Sequence, residues 1–350
     1  MIKQTNTAIF KRSNRAASVQ LSEIVRISEA VRIRRAQGED ILSFGTGEPD
    51  FPTPPHVIKA AHDAMLRGET SYPPTQGTTA LRTAICKTTA AHPSAKPNPS
   101  QVIVSTGAKQ VLSNAFLATL NHGDEVIVPA PFWTSYADII RFCEANLVSV
   151  PCDAAAGFKP SASQLSAAIT QNTKWLLLNS PNNPSGALYD ADELSSFADV
   201  LRANPHIWLM ADEIYEHISY GPFTSFLEVA PDLADRMLVI NGVSKAYAMT
   251  GWRLGWGIGP NALISAMTGI QGQSTSGTSS ISQAAALAAL TGPQELLAER
   301  LNSFQERRDF VVAAINATCV LDCLTPGGAF YVYPSCSGTF GLTTPDGKTI

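Results

Sequence analysis

Four short stretches of this 350-residue chain carry side chains whose types and surroundings could do chemistry together. Lys245 stands in Asn241-Gly242-Val243-Ser244-Lys245, between two strand-like apolar segments. Lysines ordinarily occupy solvated helix faces and loop tips, so one plain reading is a loop lysine. The other is an amine able to attack a carbonyl carbon and to carry a proton. Asp212 ends the apolar run Trp208-Leu209-Met210-Ala211, and Asn183 follows another apolar segment in Asn179-Ser180-Pro181-Asn182-Asn183-Pro184-Ser185-Gly186. Asp212 could equally cap a following helix, and Asn183 could serve an Asn-Pro turn. Gly107-Ala108-Lys109 lies where a strand gives way to a helix, and the free backbone N–H groups of such a turn favour an anion such as phosphate.

Bringing these stretches together requires particular elements. Residues 22–35 place Ile24, Ile27 and Val31 at helical spacing before Gly38, and residues 41–44 read as a strand running into the turn Gly45-Thr46-Gly47. From there strands are predicted at 102–105, 125–128, 147–150, 175–178, 207–211, 237–240 and 256–258, with helices at 108–120, 133–142 and 190–202. Short apolar strands between helices imply a mainly parallel sheet with helices on both faces, an α/β fold. Ligands of open parallel sheets bind outside the carboxyl ends of the strands, which is where Asp212 and Asn183 fall. The last third changes character: an Ala-rich helix at 281–290, a charged helix at 294–316 and a strand at 327–332 predict a second, smaller domain. Residues 91–100 read as a Pro/Ser loop.

Composition narrows the function. With 25 Lys and Arg against 29 Asp and Glu, the net charge is −4, and no basic patch interleaved with aromatics offers a footprint for nucleic acid or an anionic membrane. No apolar run reaches the ~18 residues of a membrane helix, and the polar N-terminal stretch lacks a signal-peptide core, so a cytoplasmic enzyme is expected. The six cysteines form no CxxC pair, and the six histidines show no metal-ligand spacing, which predicts neither disulfides nor a metal site. Gly255-x-Gly257-x-Gly259 lacks the helix and distant acid of a dinucleotide site and reads as a tight strand.

Six motifs occur in an order that resembles the class I aminotransferases of pyridoxal-phosphate (PLP) fold type I, in particular the bacterial aspartate-aminotransferase branch. They are Gly45-Thr46-Gly47-Glu48-Pro49-Asp50-Phe51, Tyr72 with Gly77, Pro131-Phe132-Trp133, Asn179 to Gly186, Asp212-Glu213-Ile214-Tyr215, and Ser244-Lys245 through Trp252-Arg253. The resemblance runs from about Leu42 onward and implies pyridoxal 5'-phosphate as cofactor, held as a Schiff base on Lys245. The displaced lysine amine then shuttles a proton at the substrate alpha carbon. Asp212 would keep the pyridine nitrogen protonated so that the ring withdraws electrons. Tyr215 and Asn183 would donate to the ring's phenolate oxygen. Trp133, otherwise a core residue, would stack on the ring. Gly107, Ala108, Lys109, Ser244 and the guanidinium fork of Arg253 would surround the phosphate. Tyr72 would come from the neighbouring subunit of a homodimer, and residues 273–282 resemble an intersubunit loop, with Gly277-Thr278 where the branch has Asn-Pro.

The same resemblance implies a domain plan: residues 1–45 as the N-terminal part of a small domain, 46–290 as the large PLP-binding domain and 291–350 as the C-terminal part of the small one. The implied activity exchanges an amino group between an amino acid, aspartate or an aromatic or prephenate type, and 2-oxoglutarate. Gly47, Trp133, Asn183 and the 18–24 region would line the substrate side. The fold leaves open a PLP-dependent lyase, decarboxylase or racemase, and a non-catalytic PLP-binding protein. The family's alpha-carboxylate arginine falls beyond Ile350, so the chain is expected to be a truncated form that binds PLP weakly and transaminates poorly.

Overall fold

The computed structural model describes residues 10–19, 23–45, 47–89, 96–344 and 347–350. Its centre is a seven-stranded sheet: β1 (Val102–Ser105), β2 (Glu125–Ala130), β3 (Asn146–Pro151), β4 (Thr173–Asn179), β5 (Trp208–Asp212), β6 (Met237–Gly242) and β7 (Gly255–Ile258). The order is β1-β7-β6-β5-β4-β2-β3, parallel throughout except that β7 runs against both neighbours. Strand β1 is therefore parallel to β6, and one edge of the sheet collects the carboxyl ends of β1, β2, β4, β5 and β6 together with the start of β7.

Alternation along the strands fills both faces. Leu176 and Leu178 join one apolar core with Leu209, Ala211 and Val239, while Trp175 and Leu177 join another with Met210, Leu238 and Ile240. Helices Ala108–Thr119, Ser135–Phe142 and Asn261–Ser274 cover the second face through Phe116, Ile140 and Ile264. Helices Ala191–Ala203, Pro55–Leu66, Thr79–Thr89 and Ser280–Thr291 cover the first through Phe197, Val57, Leu81 and Ala286. Helix Ala191–Ala203 starts where Asp190 and Glu193 cap each other's backbone N–H, at 2.8 and 2.9 Å.

Several sequence-based expectations need correction. The 41–44 segment is not a strand. Nor is 327–332, which makes only a single bridge, between Ser219 and Gly328. Ala329 takes a left-handed φ of 56°, which breaks extended geometry, and a Cβ on Gly328 would meet Pro181 at 2.6 Å, so this segment hugs the neighbouring loop instead of pairing. The helix expected from 133 begins at Ser135, and the helices Pro55–Leu66, Thr79–Thr89, Ala162–Ala168 and Asn261–Ser274 were not foreseen. Ser22, Thr46 and residues 91–95 of the expected elements lie outside the described residues. Among the described residues no helix is long and apolar enough to cross a membrane.

Candidate active site

The carboxyl edge of the sheet opens into a cavity of ≈ 880 Å³ lined by Gly47, Ala108, Lys109, Trp133, Asn183, Asp212, Tyr215, Ser244, Lys245 and Arg253, among others. Most arrive from strand ends: Ala108 and Lys109 after β1, Trp133 after β2, Asn183 after β4, Asp212 and Tyr215 at β5, Ser244 and Lys245 after β6, and Arg253 before β7. Asp212 is the last residue of β5 and pairs in register with Asn179, the last of β4. The Asn179 amide donates to the Asp212 carbonyl at 2.9 Å, while its Oδ1 accepts from the Asn183 backbone N–H at 2.7 Å. One side chain thus fixes the Asn183 loop to the end of β5. Lys245 follows β6 in a turn closed by Met249 N–H to Ser244 carbonyl, 3.2 Å.

Asp212 is 3% exposed. Its Oδ2 accepts a 2.6 Å hydrogen bond from the Tyr136 hydroxyl, and its Oδ1 accepts from the Ile214 backbone N–H at 3.3 Å. Burial penalises its charge and pushes the carboxyl up to about 6, against the pull of the Tyr136 and Ile214 donors. Burial also drives Tyr136 far above the ordinary phenol range, with the Asp212 charge adding to it. Lys245 donates to the Gly47 carbonyl at 2.9 Å. Burial lowers its amine to about 8, opposed by the charges of Glu48 and Asp212. An uncharged lysine amine is therefore accessible near neutral pH.

At the other end of the cavity, Gly107 leads into helix Ala108–Thr119 with φ +83° and no side-chain cap, leaving the first backbone N–H groups uncapped by a side chain. A Cβ on Gly107 would sit 2.7 Å from Arg253 Nη2, so the missing side chain is what lets the guanidinium close over the turn. Arg253 itself adopts φ +55° and is steadied by Nη1 donating to the Thr250 carbonyl at 2.9 Å. Lys109 lies 4.7 Å from the Trp133 ring centroid and donates to Ser135 Oγ at 3.1 Å; burial and then Arg253 lower its amine.

Of the residues singled out from the sequence, all but Gly107, Tyr72 and the described part of the 18–24 stretch line this cavity. Gly107 is one residue behind its wall. Tyr72 lies away from it and is 94% exposed on this chain. Of the 18–24 stretch, residues 20–22 lie outside the described residues. Sequence reasoning missed Tyr136, whose signal was its helical spacing of three from Trp133, and Tyr331, which had been read as a strand residue. It also missed Glu48, which accepts a short hydrogen bond from Thr250 Oγ1.

The family model "Aminotransferase class I and II" matches residues 39–344. The chain belongs to this family. It is 49% identical over 343 residues to the aspartate aminotransferase of Rhizobium meliloti (strain 1021), covering 97% of this chain and 84% of that one. It is 46% identical to the aspartate/prephenate aminotransferase of Cereibacter sphaeroides, covering 97% and 85%. The crystal structure of the Rhizobium meliloti aspartate aminotransferase superposes with a TM-score of 0.94 at 48% identity, covering 97% of this chain and 86% of that one. That of the Thermus thermophilus aspartate aminotransferase with maleate gives 0.89 at 38%, covering 93% and 85%.

This chain is a PLP-dependent aminotransferase of fold type I. The residues of the aminotransferase's cavity fit that cofactor. They supply a half-buried amine, a buried carboxylate in the same cavity, an aromatic face at Trp133, and an anion cradle that a Cβ at Gly107 would fill.

Proposed function

We propose that this aminotransferase moves an amino group between an acidic amino acid and 2-oxoglutarate, with Lys245 and Asp212 as its central pair. Aspartate is the favoured donor, since relatives at 40–49% identity are named aspartate or aspartate/prephenate aminotransferases; aromatic and prephenate-type donors belong to the same reading. The observation that carries it is the half-buried Lys245 amine, lowered to about 8 by desolvation, lining the same cavity as the buried Asp212 carboxylate.

Pyridoxal 5'-phosphate, when bound, supplies an aldehyde carbon and a pyridine ring that withdraws electrons. Lys245 Nζ is the amine that would hold that carbon, and the same amine would take up and return a proton at the substrate alpha carbon. Asp212, charged above about 6, would keep a proton on the ring nitrogen. Tyr215 and Asn183 would donate to the ring oxygen, and Trp133 would offer a face to the ring. The Gly107-Ala108 N–H groups, Lys109, Ser244 and Arg253 take the phosphate, and Gly47, Trp133 and Asn183 border the substrate.

We further propose a homodimer in which Tyr72 reaches the partner's site; its 94% exposure on the single chain supports this reading. Residues 1–45 and 291–350 would form the small domain around the large domain 46–290. Six free thiols suit a reducing cytoplasm. The test is the visible absorption of the PLP-treated protein before and after borohydride, with Lys245→Ala alongside. Wild type is expected to trap the chromophore covalently, and the variant to lose it; equal trapping in both would end the Lys245 assignment. Transfer from aspartate to 2-oxoglutarate, followed as oxaloacetate, checks the donor.

A further inference from the structure

The Tyr215 and Asn183 side chains, assigned above to the ring oxygen, also meet a third polar group. Asn183 Nδ2 donates to Tyr331 Oη at 3.3 Å, and Tyr331 Oη lies 2.7 Å from Tyr215 Oη. The Tyr215 and Tyr331 rings cross at 81° with centroids 5.7 Å apart, and both hydroxyl-bearing residues line the cavity. The contact is built by the backbone as well as by side chains. Gly328 N–H donates to the Gly186 carbonyl at 3.0 Å, tying the Tyr331 segment to the Asn183 loop. Ala329 N–H donates to the Ile218 carbonyl at 2.7 Å, tying it to the turn that carries Tyr215. Gly47 adds a wall, since a Cβ there would lie 2.4 Å from Tyr331 Oη.

Donor chemistry gives this trio a direction. An amide Nδ2 only donates, so Tyr331 Oη accepts from Asn183. Either hydroxyl can donate across the 2.7 Å Tyr215–Tyr331 contact. With the Tyr215 hydrogen given to the ring oxygen of the cofactor, as assigned above, Tyr331 is the member that donates to Tyr215. Hydrogen bonds in series polarise one another, so a Tyr215 that accepts from Tyr331 is a stronger donor than one that does not.

We propose that Tyr331 is a positioning residue for transamination, completing an oriented hydrogen-bond chain from Asn183 through Tyr331 to Tyr215 that strengthens Tyr215 as donor to the anionic ring oxygen of the cofactor. This rests on the assignment of Tyr215 to that oxygen. Burial keeps both phenols protonated, Tyr331 being pushed up to about 12, so the chain persists across the working pH range.

The measurement is the pH midpoint of the visible absorption band of the PLP-loaded enzyme, read with PLP content per chain, in Tyr331→Phe, Tyr215→Phe and the double variant. A stronger donor at the ring oxygen lowers that midpoint. Tyr331→Phe keeps the ring packing and is expected to raise the midpoint by about half a pH unit, roughly a threefold change in protonation ratio at fixed pH. Tyr215→Phe raises it further, and the double variant matches Tyr215→Phe because the chain then has no last member. Placing 3-fluorotyrosine at position 331, a stronger donor of nearly the same shape, moves the midpoint down and gives a second reading that does not depend on losing a group. An unchanged or lower midpoint in Tyr331→Phe, or an unmoved one with 3-fluorotyrosine, overturns the proposal while Tyr215→Phe still shifts. If Tyr215→Phe itself leaves the midpoint in place, the assignment of Tyr215 fails, and the proposal fails with it.

Discussion

Tyr136→Phe removes one oxygen atom from the protein and leaves Asp212 enclosed with a single backbone donor. The hydroxyl sits 2.6 Å from Asp212 Oδ2, and burial has already lifted the carboxyl to about 6. A hydrogen bond to a charged acceptor is worth about 1.5–3 kcal/mol, and one pH unit corresponds to about 1.4 kcal/mol, so the Asp212 midpoint should rise by roughly one to two pH units. The wild-type folded value lies above the ordinary value of 3.8, so Asp212 favours folding most at low pH. That contribution is lost as pH rises from about 4 to about 6. In the variant the loss continues to roughly pH 7–8. Urea unfolding of the PLP-free protein at pH 4.5 and pH 8 reads this directly: the variant should be about 1.5–3 kcal/mol less stable than wild type at pH 8 and much closer to it at pH 4.5. Equilibrium dialysis should also show weaker PLP retention at pH 7, where half or more of the variant's Asp212 is uncharged. Equal destabilisation at both pH values would mean that Tyr136 only fills space.

Gly255→Ala places a Cβ 2.5 Å from Ala108 N and 2.8 Å from Gly107 C, both backbone atoms, and should cost roughly 1–3 kcal/mol in thermal or urea unfolding while weakening inorganic phosphate binding at the Gly107 turn; wild-type values in both assays would show that the turn yields freely. With the Lys245 amine lowered to about 8, the rate of PLP uptake in a stopped-flow absorbance experiment should climb through pH 6 and 7 and level off above about 8. A profile flat over that range would contradict the burial of the amine.

The parallel sheet was legible because β4, β5 and β6 are short apolar runs, Trp175 to Leu178, Leu209 to Ala211 and Leu238 to Ile240, buried on both faces. The site residues were legible because each polar side chain stands just past such a run. The 327–332 segment misled because Phe330, Tyr331 and Val332 look like strand residues, whereas the left-handed Ala329 and the close packing of Gly328 on Pro181 are properties of tertiary contact. Helices Pro55–Leu66 and Thr79–Thr89 went unnoticed because their apolar faces contact helix Ser280–Thr291, far away in sequence. Tyr136 was hidden for a similar reason, since its partner Asp212 is 76 positions away.

The gathering of Gly107, Trp133, Asn183, Asp212, Lys245 and Arg253 from the ends of six strands has a thermodynamic consequence for the cofactor itself. The six are spread over positions 107 to 253 and meet only when the sheet forms, and the unfolded chain has no equivalent of the set, so PLP binds the native state almost exclusively. Binding of that kind draws the folding equilibrium toward the native state by mass action: at a free concentration one hundred times its Kd, PLP would add about 2.7 kcal/mol to stability. The cofactor's supply would then govern how much of the protein survives as well as how fast it works.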